Sequence, residues 1–261
     1  MTSTDYGGEF GYELISVIPY AYFLATQGRL AKTVSTKDTR CLYFFSPNHE
    51  ERYAQRQYQP VTAFPVQSLC THDIDTSKWT PPPYKTVYAS TRFQWPKPLL
   101  VLGNKSELQW GRGTINCIDL SLLRELLTAL TPHYAVVYSN PPKSAIVDDG
   151  CTVVSFGDKD LIRREFPNVR LIEDVYAEHK DLTFNTFQCT LYASCENFIS
   201  VQGGASVLAS YFGGRNYVLA IDGDETTHDS YSGYFRRLSG CNVVGFRTKD
   251  AFRQAILADY R

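Results

Sequence analysis

Four short segments of the chain combine residue types and spacings that can do chemistry. In Gln202-Gly203-Gly204-Ala205-Ser206 an apolar run ends at two glycines, and a helix is expected to open on Ala205 and Ser206. Backbone N–H groups at such a helix start point outward and carry roughly half a positive charge, which suits a phosphate; the plainer reading is a packing turn between strand and helix. In Gly103-Asn104-Lys105-Ser106 a lysine emerges directly after another apolar run. Its ammonium is a compact charge with three donors, suited to diphosphate oxygens, or else a solvated loop lysine. Residues 7–13, Gly-Gly-Glu-Phe-Gly-Tyr-Glu, put Glu9 and Glu13 four apart at the start of a helix. Each can complement the helix dipole or orient and deprotonate a substrate hydroxyl. Residues 70–75 place His72 beside Asp73 and near Asp75. That group reads as acid–base machinery, a metal site or a polar surface loop, with Asp73 and Asp75 the preferred carboxylates for a base.

The elements that must position these segments read as alternating apolar strands and helical patterns, an α/β architecture. In the first third, residues 11–27 look helical, with Pro19 set to kink or interrupt the helix. Strands are expected at residues 33–35, 41–45, 61–64 and 86–89, and residues 79–84, rich in proline, form a stiff loop. A boundary is expected at residues 93–98. Beyond it the strands fall at 99–102, 134–138, 153–156, 169–172, 217–221 and 242–246. Helices fall between them near 119–130, 158–166, 185–194, 205 onward and 248–259. Such a series predicts a doubly wound parallel sheet, whose ligands gather at the C-terminal ends of the strands.

Bulk properties exclude several classes. With 26 Lys and Arg against 27 Asp and Glu, a net charge of −1 gives no electrostatic grip on nucleic acid or an anionic membrane. No apolar run reaches the roughly 20 residues of a membrane span, and the N-terminus lacks a signal-peptide pattern. The seven cysteines include no C-x-x-C pair, which favours reduced thiols in a cytosolic setting. There is no G-x-G-x-x-G after a strand, no Walker sequence, no G-x-S-x-G, no H-E-x-x-H and no calcium loop. The acidic stretch 222–229 reads most simply as a turn.

The segments Gly8-Glu-Phe-Gly-Tyr-Glu-Leu14, Asn104-Lys105 with Gln109-Trp-Gly111, Tyr134-Ala-Val-Val-Tyr138 and Phe198-Ile-Ser-Val-Gln-Gly-Gly204 together resemble small GT-B-type glycosyltransferases. In detail they resemble the compact glycosyltransferases of chloroviruses that build capsid glycans, and most closely xylosyltransferase members of that group. The resemblance spans most of the chain. It implies two Rossmann-like domains facing a cleft, with residues 1–96 holding the acceptor and residues 97–261 the nucleotide sugar. UDP-xylose is the implied donor and a glycan hydroxyl the acceptor. No cofactor and no metal are implied, and the setting would be the host cytoplasm if the chain is viral.

Under this resemblance Gly203, Gly204, Ala205 and Ser206 hold the diphosphate, beside Gln202 and Asn104. Lys105, Arg112 and Arg163 supply positive charge. Glu173, with Asp174, falls where a base or ribose contact is expected. Gly8, Phe10, Tyr12 and His72 are the acceptor-side candidates. A first-half carboxylate (Asp73 first, then Glu9, Glu13 or Asp75) would deprotonate the acceptor in an inverting reaction, whereas a retaining reaction needs no such base. The rivals are a non-catalytic nucleotide- or carbohydrate-binding protein, a fucosyltransferase-like enzyme using a GDP-sugar, and a transferase of a pyruvyl or methyl group.

Overall fold

The structure, a computed structural model of the 261-residue chain, describes residues 1–66, 75–108, 113–148, 150–226 and 230–260. The chain opens with β1 (Thr2–Asp5), α1 (Phe10–Tyr12), a π-helical turn (Glu13–Val17), α2 (Ile18–Thr26), β2 (Leu30–Thr36) and β3 (His49–Tyr53). These three strands pair in parallel in the order β1-β2-β3. After α3 (Tyr84–Val87) comes β4 (Leu99–Gly103), then α4 (Leu120–Leu130), β5 (Ala135–Ser139), α5 (Asp158–Glu165), β6 (Arg170–Leu171) and α6 (Ile172–Ala177). The series ends with α7 (Phe184–Ala193), β7 (Asn197–Val201), α8 (Gly204–Ala209), β8 (Arg215–Leu219), β9 (Asn242–Phe246) and α9 (Lys249–Asp259). The six strands of this second sheet are all parallel, in the order β6-β5-β4-β7-β8-β9.

The second sheet is apolar on both faces because both are covered. Along β4, Leu99 and Val101 enter one buried cluster while Leu100 and Leu102 enter the other. The second cluster is closed by Leu122, Leu123, Leu126, Leu127 and Leu130, whose helical spacing turns one stripe of α4 onto the sheet, and by Phe252 and Ile256 of α9. Asp119 starts α4 by accepting the Leu122 N–H at 3.0 Å. The first cluster holds Phe187 and Leu191 of α7 and Val207 and Leu208 of α8. It continues without a break into Leu14, Ile15, Ile18, Ala21 and Leu24 of the first half. Both halves thus share one core. Among the described residues no helix is long and apolar enough to cross a membrane.

Several expected elements differ. Residues 41–45 form a turn, with Leu42 N–H donating to the Thr39 carbonyl at 2.9 Å, and bury Cys41, Leu42 and Tyr43 without strand pairing. Residues 61–64 also turn, residues 84–87 are helical, and of 153–156 only Val153 makes a bridge, to Glu107. Where a strand was expected over 169–172, only Arg170–Leu171 pairs before α6 begins. Conversely β1 and β3 are polar. β3 is an edge strand whose Glu50, Glu51 and Arg52 guard it with charge.

Pro19 does interrupt its helix, in a specific way. It has no N–H, so the Ile15 carbonyl loses its α-helical partner. The Ile18 N–H reaches back five residues to the Glu13 carbonyl, leaving the Leu14 carbonyl without a helical donor as well. Side chains from elsewhere fill both places: Trp79 Nε1 donates to the Ile15 carbonyl at 2.7 Å and the Tyr211 hydroxyl to the Leu14 carbonyl at 2.5 Å. A buried carbonyl left unpaired costs about 1–3 kcal/mol. Tyr211→Phe is therefore expected to lower unfolding free energy by about that amount in urea titrations, and an unchanged midpoint would show the Leu14 carbonyl finds another donor.

Candidate functional site

In the second sheet the chain runs from β4 outward to β5 and β6 on one side, and from β7 to β8 and β9 on the other. The loops leaving the C-terminal ends of β4 and β7 therefore part in opposite directions and open a crevice between them. β4 ends at Gly103, so Asn104 and Lys105 sit on one lip; β7 ends at Val201, so Gln202, Gly203 and Gly204 sit on the other. A cavity of about 210 Å³ lies there. Its lining includes Asn104, Lys105 and the 202–205 turn, and across from them Phe10 and Arg56 of the first half.

Asn104 is a brace. Its Oδ1 accepts the N–H groups of Lys105 and Ile118, both at 3.0 Å, and its Nδ2 donates to the Ile118 carbonyl and the Tyr138 hydroxyl. This fixes the backbone from which Lys105 projects. Lys105 Nζ lies 3.2 Å from Gln202 Oε1, and a Cβ on Gly203 would stand 3.2 Å from the same nitrogen, so the ammonium hangs over the glycine turn. Gln202 is held in turn by Nε2 donation to Glu225 at 3.0 and 3.1 Å. Gly203 has φ of +141°, a conformation that side-chain-bearing residues rarely adopt. Ser206 does not reach the cavity: it is fully buried, and its hydroxyl donates to the Gly203 carbonyl at 2.7 Å. The expectation that Ser206 holds phosphate is corrected on that ground, since its hydroxyl serves the turn itself.

The 7–13 segment meets the second turn directly. A Cβ on Gly204 would lie 2.9 Å from Phe10 Cδ1 and 3.2 Å from the Gly11 nitrogen, so the two glycine-rich turns approach as closely as they do because this position carries none. Glu13, three residues on, is fully buried. Its Oε2 stands 2.7 Å from Arg56 Nη2, and its Oε1 accepts from the Tyr43 hydroxyl at 2.9 Å and from Ser35. Burial first, and then the Glu13 charge, hold the Tyr43 hydroxyl well above its usual range, so it stays a donor. A carboxylate so enclosed is not placed to take a substrate proton, which corrects the reading of Glu13 as a base. It positions Arg56 instead. Arg56 Nη1 donates to the Gly8 carbonyl at 2.8 Å, its guanidinium lies 4.9 Å from the Phe10 ring centre, and its side chain is only 6% exposed.

Among the described residues, the remaining candidates stand apart from the cavity lining. Glu9 is exposed at the start of α1, and Tyr12 is half-buried against the core. Asp75 is exposed; hydrogen bonds from Ser77, one from its backbone N–H at 2.9 Å, hold its carboxyl below the usual range. Arg163 is exposed in the last turn of α5. Glu173 pairs with Lys159 at 2.6 Å in the first turn of α6, beside exposed Asp174. Asp73, His72 and Arg112 lie outside the described residues, as do Trp110, His228 and Asp229. Sequence reading missed Arg56, Lys143, Glu107 and Asp148 of the lining. Arg56 lies in a polar loop with no glycine turn or apolar run to mark it, and the other three lie in connections between strands and helices where no motif singles them out.

The chain is similar in fold to a solved structure of the ADP-heptose lipopolysaccharide heptosyltransferase II of E. coli. The TM-score is 0.59 at 10% identity, over 99% of this chain and 97% of that one. At that identity the likeness concerns the fold, which is α/β of the GT-B type, two Rossmann-like units facing a cleft. No protein-family model matches the chain, and no curated protein matches it by sequence.

Removing one partner of a buried ion pair leaves an uncompensated charge and costs about 3–5 kcal/mol, whereas replacing both by apolar residues is often nearly neutral. Glu13→Ala is expected to lose stability on that scale in denaturant unfolding, and Glu13→Leu combined with Arg56→Met to regain a large part of it. A double variant no more stable than the single one would show that Ser35 and Tyr43, not the charge, set the cost.

Proposed function

We propose that this protein is a glycosyltransferase that binds a nucleoside-diphosphate sugar in the crevice between β4 and β7 and moves the sugar to a glycan hydroxyl. The observation that carries this reading is the convergence of Lys105 and the Gly203–Gly204 turn at the point where the strand order reverses. That is where an open parallel sheet seats a phosphate-bearing ligand. At about 210 Å³ the enclosed space is below the roughly 300–1,000 Å³ of whole small-molecule sites, so it suits the diphosphate and sugar end of the donor. Negative charge grows on the leaving diphosphate as the glycosidic bond breaks. Lys105, Lys143 and Arg56 all line the cavity, and fixed cations in a partly dehydrated cleft stabilise that charge. In this reading they do so without a metal ion.

The sequence resemblance favours UDP-xylose as donor, with a GDP-sugar the alternative; inversion with a carboxylate base is the preferred course and retention the other. The structural neighbour carries ADP-heptose in its name, which adds adenosine donors to the set worth testing. A second reading, a binding protein of the same fold, draws on the placement of Glu9, Glu13 and Asp75 away from the cavity lining. Thermal-shift screening with UDP, GDP, ADP and their sugars separates these donors. Lys105→Ala is expected to weaken binding of the stabilising diphosphate by about 10- to 100-fold in calorimetry, the scale of a hydrogen bond to a charged group. Undiminished binding by Lys105→Ala would remove the diphosphate assignment, and binding by the parent without any transfer would favour the second reading.

A further inference from the structure

The carboxamide of Gln202 stands between two charged groups. Its Oε1 lies 3.2 Å from Lys105 Nζ and 3.4 Å from Asn116 Nδ2, and its Nε2 donates to the Glu225 carboxylate, at 3.0 and 3.1 Å from the two oxygens. Donors face the carbonyl end and a carboxylate faces the amine end, so the amide has one orientation. Turned over, it would set N–H groups against an ammonium and a carbonyl against a carboxylate. Gln202 is 7% exposed, so water does little to soften that cost.

Glu225 reaches this place from the turn that follows β8. The Ile221 and Asp222 N–H groups donate to Asn116 Oδ1 at 2.7 and 3.2 Å, and Asn116 Nδ2 donates to the Asp222 carbonyl at 2.8 Å. Gly223 then turns with φ of +137°, and a Cβ there would lie 2.9 Å from Glu225 Oε2 and 3.2 Å from Gln202 Nε2. The helical turn Asp224–Thr226 is closed by the Thr226 N–H and hydroxyl, which donate to the Gly223 carbonyl at 3.1 and 2.8 Å. The Ser230 N–H donates to the Glu225 carbonyl at 3.1 Å. By sequence this acidic stretch reads as a simple turn; within it, Glu225 is aimed at one amide. Gln202 and Lys105 line the crevice, and Glu225 does not.

A carboxylate touching an ammonium compensates its charge, whereas a carboxylate one amide away orients it. The Glu225 charge draws on the Gln202 N–H, which makes the Gln202 carbonyl a stronger acceptor for the ammonium. A carboxylate at position 202 would instead compete with a phosphate for the same cation. Gln202 passes on direction and not a full negative charge.

We propose that Glu225 is a positioning residue for the donor diphosphate: through the Gln202 carboxamide it holds the Lys105 ammonium over the Gly203 turn. The proposal rests on the glycosyl-transfer reading and adds a group outside the crevice on which the phosphate contact depends.

The test is a double-mutant cycle of Glu225→Ala and Lys105→Ala. It is read by calorimetry with whichever of UDP, GDP and ADP gives the parent its largest thermal shift. Glu225→Ala is expected to weaken diphosphate binding by about 3- to 20-fold in the parent, and by less than twofold in Lys105→Ala. Glu225→Gln keeps the shape and one acceptor oxygen. It should lose less than Glu225→Ala, and it guards against a loss that comes from misfolding. A second readout needs no ligand. With the lysines carrying carbon-13 dimethyl labels, the Lys105 resonance, assigned by its disappearance in Lys105→Ala, should shift in Glu225→Ala. Where Lys105→Ala binds too weakly for calorimetry, that resonance decides alone. Binding by Glu225→Ala within twofold of the parent, an equal loss in both backgrounds, or an unmoved Lys105 resonance overturns the proposal. The loss in Lys105→Ala then still supports the diphosphate assignment. Undiminished binding by Lys105→Ala, or no binding by the parent, overturns both.

Discussion

A carboxylate sealed inside the first half cannot remain charged without partners, and Glu13 collects three: Arg56, Tyr43 and Ser35. Each comes from a different stretch of chain. Ser35 lies on β2, Tyr43 in the turn that follows, and Arg56 in the loop after β3. Satisfying one buried group therefore sets the first sheet, its connecting turn and the 56–59 loop in a single arrangement. The same demand brings a guanidinium to the cleft wall and keeps it there, because Arg56 is also bound to the Gly8 carbonyl and flanked by Phe10. A lysine at this place would keep the charge but not the fork that spans Glu13 and Gly8 at once.

From that anchor the cleft follows by close approach. The Gly8–Gly11 stretch meets Gly204 at distances that leave no room for a Cβ, so the first half closes over the end of β7 and not merely beside it. On the opposite lip, Asn104 spends its whole carboxamide on backbone and on Tyr138, which leaves Lys105 to face the crevice. Positioning and contact are thus divided between neighbours. Asn104 and Glu13 fix geometry from inside, and Lys105 and Arg56 present charge to the cavity.

The second sheet was legible in the sequence because strands buried on both faces read as unbroken apolar runs, as β4 and β7 do, and because Asp119 and Thr248 mark helix starts. The first sheet was not. β1 and β3 spell Thr-Ser-Thr-Asp and His-Glu-Glu-Arg-Tyr, outer strands whose composition follows solvent and not the ladder. The apolar run at 41–45, meanwhile, went into a turn where burial needed no pairing. The site divides along the same line. Residues 103–105 and 202–205 announce themselves by glycine and strand end. Arg56 sits in a polar loop and Asp148 in the connection between β5 and α5, and their place at the cavity is set by tertiary contacts with no local pattern. Ser206 shows the converse, a site-like residue in a site-like motif whose hydroxyl the turn itself consumes.

Two-domain folds with a ligand cleft are expected to open and close unless the interface is large and apolar. Here it is apolar and continuous: one cluster runs from Leu14 and Ile18 through Tyr84 to Phe187, Leu208 and Val218. The defect at Pro19 deepens the bond between the halves. The Leu14 carbonyl accepts from Tyr211 of the second half, so separating the two breaks this hydrogen bond and exposes apolar surface. At the far edge of the seam the Asp38 carboxylate accepts the Asn185 N–H at 2.9 Å and its carbonyl accepts the Asn185 side chain, again across the halves. A cleft built on such a seam is preformed. A ligand entering it meets cations already in place, and less of its binding free energy goes to moving domains.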